Sequence, residues 1–247
     1  LKLMDKRNSD KKTAITKDFN FKQFSIYGGM SGMPVSTDGI LLGAWSTIEK
    51  SENILDIGTG TGLLSLMCAQ RNQQAKITAI ELDDHAYEAA THNFSHSPWQ
   101  ERLCLKHQNI LTWQPEVTFD HIICNPPYFN HGEQARLQQR AAARHTDTLP
   151  HDKLLLKAWG LLSVEGRASF ILPKMEGDQF IQLATSQGWS LTRYCEVKTS
   201  TRKPVSRLLF ELSKKPSETL INELVIHTKE QYSDDFISLT HDFYLKM

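Results

Sequence analysis

Two short stretches of this 247-residue chain combine residue types at spacings that could do chemistry. One is Asn125-Pro126-Pro127-Tyr128. Two successive prolines fix the backbone and remove N–H donors, so the turn presents carbonyl oxygens. The Asn125 side-chain oxygen and the Pro126 carbonyl could then accept both hydrogens of one NH2 group, while the Tyr128 ring offers a flat face to a planar partner. An amino nitrogen conjugated to a ring, such as N6 of adenine, is a poor nucleophile because its lone pair is delocalised. Gripping both protons favours pyramidalisation and stabilises the positive charge that develops during attack; such acceptors are typically worth ~3–4 kcal/mol each. In isolation the same four letters could simply end a strand.

The other stretch is DIGTGTG, from Asp56 to Gly62, between an apolar strand pattern and a helical one. Glycines there let the backbone turn tightly against a ligand, and the following helix start offers free N–H groups. Gly58 and Gly60 match the first two positions of a dinucleotide fingerprint, but Leu63 stands where its last glycine belongs, and no G-K-[ST] phosphate loop follows. The pattern is Gly58-x-Gly60-x-Gly62, with Asp56 placed to accept from loop amides or from a ligand ammonium group. Glu81 ends the next strand pattern, where a carboxylate can accept from both hydroxyls of a ribose. Next to this nucleotide-type unit, Asn125 to Tyr128 reads as catalytic.

Such a site needs strand–turn–helix units to hold it. Residues 1–17 are polar and aperiodic and read as a flexible arm. DFNFKQFSIY should pack its Phe and Ile residues on the main domain, GGMSGMPVSTDG reads as loop, and ILLGAWSTI as a short buried helix. NILDI, AKITAIEL, RLCLKHQ, FDHIICNPPY and GRASFILP then read as strands. They alternate with the helices LLSLMCAQR, HAYEAATHNF (capped by Asp83 or Asp84), KLLLKAWGLLS and DQFIQLATSQG. WSLTRYCEV and VSRLLFELS close the list as two strands joined by the basic loop KTSTRKP. This pattern predicts an α/β fold: a mostly parallel seven-stranded sheet, helices on both faces, and one antiparallel strand near the edge. Residues 18–247 read as a single domain.

Composition narrows the class. A 40% hydrophobic and 23% charged chain is ordinary for a globular protein. No apolar run approaches the ~20 residues needed to span a bilayer, and the charged start LKLMDKRNSDKK reads as neither signal peptide nor anchor. Cys68, Cys104, Cys124 and Cys195 are scattered without a CxxC pair, which points to reduced thiols and a cytoplasmic setting, with no zinc site. Cys124 reads as core. Net charge is zero, but Leu1 to Phe24 holds seven Lys/Arg against three Asp, and Arg193 to Lys215 seven against two Glu. Arg136, Arg140 and Arg144 would share one face if helical. Each run alone reads as a solvated face; together they suggest a polyanionic partner.

These residues resemble the Rossmann-like (class I) methyltransferases that use S-adenosylmethionine (SAM), in the branch whose N/D-P-P-Y/F/W motif acts on amino nitrogens. FKQF, TDGILLGAW, DIGTGTGLLSLMCAQR, NPPY and the tail from Tyr232-Ser233 through Phe243-Tyr244-Leu245 are similar to a bacterial family of tRNA adenine-N6 methyltransferases, from about Asp18 onward. The resemblance implies SAM as cofactor, a tRNA substrate and methyl transfer to adenine 37 of tRNA1(Val), a base in a single-stranded loop that is cheap to splay out. It implies that Asp56, Gly58, Gly60, Gly62 and Glu81 hold SAM beside Asn125, and that Asn125 to Tyr128 hold the adenine. Segment 18–50 would pack over the cofactor, with Thr37 and Asp38 above its methionine part. Asn109 takes the usually acidic position facing the SAM adenine. Arg136, Arg140 and Arg144, with Arg202 and Lys203, would contact RNA; His131 and His145 read as polar surface. A monomer without a metal is expected. Gripping an NH2 group does not itself separate tRNA from an rRNA or DNA base, or from a release-factor glutamine. A non-catalytic SAM- and RNA-binding module would have no reason to keep NPPY complete, and Leu63 disfavours a nicotinamide enzyme.

Overall fold

The computed structural model describes residues 15–128 and 149–246. The aromatic segment near the start forms a small antiparallel ladder, β1 (Phe19–Asn20) with β2 (Ser25–Ile26). It turns Phe21, Phe24 and Ile26 inward. The Phe21 ring stacks on Phe24 at 4.6 Å, and the Phe21 backbone bridges to Tyr244 near the far end of the chain. Thr16, within the stretch read as an arm, is itself buried: it donates to the Gly29 carbonyl at 2.7 Å and its hydroxyl accepts from Gly32 N–H at 2.9 Å. Helix α1 (Thr37–Trp45) starts at Ser36, whose side chain accepts the Gly39 N–H. It is buried from Gly39 to Trp45, as an all-round apolar helix must be.

The seven strands expected from the sequence are all present. In chain order the units are β3 (Asn53–Ile57), α2 (Leu63–Arg71), β4 (Lys76–Glu81), α3 (Asp84–Ser95), β5 (Leu103–His107), β6 (Phe119–Cys124), α4 (His151–Leu161), β7 (Leu162–Pro173), α5 (Lys174–Ser186), β8 (Ser190–Ser200) and β9 (Val205–Ser213). Three further elements were not foreseen: β10 (Leu220–Thr228), β11 (Gln231–Tyr232) and helix α6 (Asp234–Thr240). The sheet is therefore nine strands wide, in the order β11-β10-β8-β9-β7-β6-β3-β4-β5. The antiparallel β9 lies inside it, paired to both β7 and β8, because the chain returns from β8 by a tight turn. β10 then adds parallel to β8, and β11 closes that side antiparallel. The basic linker is shorter than expected, since Lys198–Ser200 extend β8 and residues 201–204 alone make the turn.

Side-chain parity sorts the sheet into two layers. Ile54, Ile123, Ile171 and Leu209 join one core with α1, α2 and the N-terminal aromatics; Leu55, Ile122, Leu172 and Phe210 join another with α4 and α5. The chain runs outward from β3 through β4 to β5, then returns to place β6 on the other side of β3. Such a switch opens a crevice beyond the carboxyl ends of the two central strands. The glycine turn leaves β3 and Asn125-Pro126-Pro127-Tyr128 leaves β6, so both emerge there.

Candidate active site at the carboxyl edge of the sheet

The turn after β3 is held by its neighbour strand: Gly58 and Thr59 N–H donate to the Ile80 carbonyl at 2.9 and 3.0 Å. Gly58, Gly60 and Gly62 all have positive φ, 68°, 59° and 90°, a backbone that L side chains resist. At Gly62 a Cβ would also fall 2.5 Å from the Phe94 ring, whereas at Gly58 it would meet nothing within 4 Å. Gly62 is thus constrained by packing, and Gly58 faces open space that a ligand could use.

Asp56 is fully buried at the end of β3. Its Oδ2 accepts from the Thr59 hydroxyl and from the Ser65 N–H and hydroxyl at 3.0 and 2.7 Å. Its Oδ1 is buried with no partner among the described residues. Burial pushes this carboxyl up to about 6, against the opposing pull of the Thr59 and Ser65 bonds. A buried acceptor left open is costly unless a ligand donor completes it. Glu81, at the end of β4, is likewise buried; Oε2 accepts Gly60 N–H at 2.7 Å and Oε1 accepts Leu82 and Asp83 N–H at 2.8 and 2.9 Å. Burial raises its pKa while those backbone bonds oppose the rise. Oε2 keeps a lone pair for a further donor. Asp83, not Asp84, caps α3, accepting Ala86 N–H at 2.7 Å. Asn109 lies beyond β5, next to Gln108, whose N–H donates to the Glu81 carbonyl. The Asn109 side-chain oxygen closes its own turn by accepting Leu111 N–H at 2.9 Å. An open acceptor, a positive-φ glycine loop and a carboxylate at the adjacent strand end fit a ligand carrying an ammonium group and a ribose, as SAM does.

Across the crevice, Asn125 is half-buried, Pro126 buried, Pro127 exposed and Tyr128 half-buried. Two residues that sequence reasoning did not single out hold this motif. His151, the first residue of α4, reaches the Pro127 carbonyl through Nε2 at 3.0 Å while its ring packs on Phe180 at 4.9 Å. Arg207 of β9 stands over the Tyr128 ring, 5.9 Å from its centroid, and its Nε donates to Asp38 Oδ2 at 2.7 Å. Asp38 therefore reaches the site through α1 as a partner of Arg207. Thr37, the preceding residue, is exposed at the start of the same helix.

The basic clusters look different once partners are visible. Arg136, Arg140, Arg144, His131 and His145 lie outside the described residues. Of the seven cations between Arg193 and Lys215, five are engaged internally. Arg193 lies 3.8 Å over the Trp45 ring, Lys198 pairs with Glu223 at 2.5 Å, and Arg207 pairs with Asp38. Lys214 donates to the Leu162 carbonyl at 2.6 Å and Lys215 pairs with Glu165. Arg202 and Lys203 remain exposed on the turn, so this run owes most of its charge to the fold. Lys22 likewise donates to the His241 carbonyl. The four cysteines are free thiols, with Cys124 in the core. Among the described residues no helix is long and apolar enough to cross a membrane, and no group of three or more His, Cys, Asp or Glu could hold a metal ion.

Fold and site together define a Rossmann-like methyltransferase. The family model for the methyltransferase small domain matches residues 38–152. Among solved structures the fold is shared with a predicted O-methyltransferase from Agrobacterium tumefaciens (TM-score 0.65, 18% identity, 83% of this chain and 96% of that one). It is also shared with a glycopeptide N-methyltransferase complexed with SAM (TM-score 0.55, 13% identity, 74% of this chain and 100% of that one). Sequence similarity is much higher to the tRNA1(Val) (adenine(37)-N6)-methyltransferase of Vibrio parahaemolyticus, 60% identical over 94% of this chain and 97% of that protein. The protein of the same name from Aliivibrio salmonicida is 56% identical, covering 94% and 100%. The chain belongs to the tRNA1(Val) (adenine(37)-N6)-methyltransferase family.

Proposed function

We propose that the protein transfers a methyl group from SAM to N6 of adenine 37 in tRNA1(Val). The observation that carries this reading is the placement of Asn125-Pro126-Pro127-Tyr128 directly across one crevice from a glycine loop with an open buried acceptor. It occurs in a chain that matches the named relatives over nearly its whole length.

SAM supplies an electrophilic methyl carried on a sulfonium. Asp56 would accept its ammonium group through Oδ1, Glu81 would accept its ribose hydroxyls, and Gly58, Gly60 and Gly62 would let the backbone approach it. Asn109 would face its adenine, and segment 18–50, with Thr37 and Asp38, would pack over the cofactor side of a single domain spanning residues 18–247. Asn125 and the Pro126 carbonyl accept the two protons of the adenine amino group, and Tyr128 stacks on the base. With both protons gripped, the nitrogen lone pair would be directed at the methyl group, which SAM would supply with its sulfur as the leaving group. The positive charge on nitrogen is held by the two acceptors until one proton leaves to water. Positioning the amine in line could contribute about 7–11 kcal/mol. Arg202 and Lys203, with Arg136, Arg140 and Arg144, supply phosphate contacts. The enzyme acts as a cytoplasmic monomer and needs no metal.

The test is transfer of labelled methyl from SAM to unmodified total tRNA, followed by nucleoside analysis. N6-methyladenosine is expected, and Asn125→Ala should lower turnover about 10²–10³-fold with SAM binding nearly intact. Label appearing instead in rRNA, DNA or a release factor would overturn the tRNA assignment. Loss of SAM binding together with turnover in Asn125→Ala would overturn the division of roles.

A further inference from the structure

Arg207 sits where a reversed strand brings it to the active edge. β9 runs antiparallel to its neighbours, so Arg207, near its start, pairs with Pro173 at the carboxyl end of β7. That end adjoins the carboxyl end of β6, from which the Asn125–Tyr128 motif emerges. The side chain is mostly enclosed, 28% exposed, and Asp38 is 17% exposed. Its Nε is committed to Asp38 Oδ2 at 2.7 Å, Nη1 to the Ser206 carbonyl at 2.9 Å, and the guanidinium carbon stands 5.9 Å from the Tyr128 ring centroid. A guanidinium is planar and permanently charged, so it can hold a carboxylate with one edge while its charge addresses an aromatic ring. Asp38 lies in the first turn of α1, the helix packed against α2 beside the glycine loop. One side chain thus spans from the cofactor-side helix to the aromatic residue of the acceptor motif. A guanidinium kept for gripping RNA phosphate would be expected to leave its donors free, and here two are occupied within the fold.

We propose that Arg207, fixed by Asp38, is a positioning residue that holds the Tyr128 ring in the orientation on which the acceptor base stacks. In this way it sets the methyl acceptor in register with the helix beside the cofactor. The inference rests on the proposed reaction and adds to it the residue through which the base platform is oriented.

The test is a double-mutant cycle in the full-length protein, reading single-turnover methylation of tRNA at saturating RNA together with SAM affinity. Arg207→Met should slow methyl transfer about 10- to 100-fold, the cost of a small misplacement of the reacting atoms, with SAM affinity within about threefold of the unaltered protein. In a Tyr128→Ala background the same substitution should cost little more, because Arg207 acts through that ring. Arg207→Lys, which keeps the charge and stem but not the fork, should fall between the two, and gives the same reading if Arg207→Met fails to fold. Equal losses with and without Tyr128 would overturn the inference. So would a matching loss of SAM affinity, which marks a cofactor contact, or weaker RNA binding with a shallower salt dependence, which marks a phosphate contact. Those outcomes leave the proposed reaction standing; failure of the unaltered protein to methylate tRNA would overturn the reaction and the inference together.

Discussion

Two buried carboxylates, Asp56 and Glu211, lie in one row across the sheet: Asp56 is opposite Ile123, Ile123 opposite Ser169, and Ser169 opposite Glu211. Both are fully enclosed, yet their surroundings differ. Glu211 uses both oxygens: Oε1 accepts from Arg167 at 2.8 Å and Thr192 at 2.9 Å, and Oε2 accepts from Thr47 with Arg193 3.8 Å away. Burial alone would raise its pKa; the Thr47 bond, the nearby His121, and the Arg167 and Thr192 bonds outweigh it and bring the pKa below the ordinary value. Asp56 gathers its donors on one oxygen, leaves the other empty, and is pushed up to about 6. Burial does not distinguish a working carboxylate from a structural one. The distribution of partners separates this pair: Glu211 is satisfied within the sheet, whereas Asp56 keeps one buried oxygen open to a further donor.

The largest expected effect breaks the structural member. Glu211→Gln keeps the shape but removes the charge facing the mostly enclosed Arg193 and the half-exposed Arg167, and stranding the enclosed cation should cost about 3 kcal/mol. Thermal unfolding should then fall by on the order of 10 °C, with SAM affinity of the folded protein unchanged. A melting temperature that does not move, or a loss of affinity without loss of stability, would erase the contrast. The next effect breaks the other member. Asp56→Asn would remove the proposed charge-assisted bond to the ligand ammonium, a kind of bond worth about 1.5–3 kcal/mol. Calorimetric titration should show SAM binding weakened roughly 10- to 100-fold, while the ligand-free protein melts at or above the temperature of the unaltered protein. A lower melting temperature with affinity intact would make Asp56 a second structural carboxylate.

The contrast also marks what the sequence could reveal. Asp56 and the glycine loop were legible because their chemistry is local: three glycines between a strand and a helix fix the turn, and Ser65 and Thr59 lie within nine residues of Asp56. Glu211 was invisible inside VSRLLFELS, because a charged side chain in a strand reads as exposed although it shares the inward parity of Leu209. Arg207 and His151 were missed for a related reason, since their partners are 169 and 24 residues away. The Arg207 contact depends on the reversed direction of β9. The basic run from Arg193 to Lys215 misled in the opposite sense, because counting charges cannot see that Glu223, Glu165, Asp38, the Trp45 ring and the Leu162 carbonyl engage most of them. The strand β10 escaped because Leu220 and Ile221 are both exposed, so its start shows no alternation to read.

The smallest effect, and the one that sharpens the comparison most, is the dependence of binding on pH. Asp56 titrates at about 6 in the folded protein against 3.8 ordinarily. A raised pKa means its contribution to the stability of the ligand-free protein is fully present below the ordinary value and is lost as pH rises through about 6. For Glu211, whose pKa is lowered, the contribution is present above its ordinary value and is lost as pH falls through the depressed one. An ammonium group seated on Asp56 favours the ionised form, so binding must pull this carboxyl back down, and affinity depends on the proton being absent. SAM affinity should hold its plateau near pH 7 and weaken about tenfold by pH 5. The ligand's ammonium stays charged across that range, so the change belongs to the protein. In Asp56→Asn the same titration should be flat, and in Glu211→Gln it should follow the unaltered protein wherever the chain remains folded. A flat profile in the unaltered protein would mean that the open oxygen of Asp56 is not where the ammonium binds.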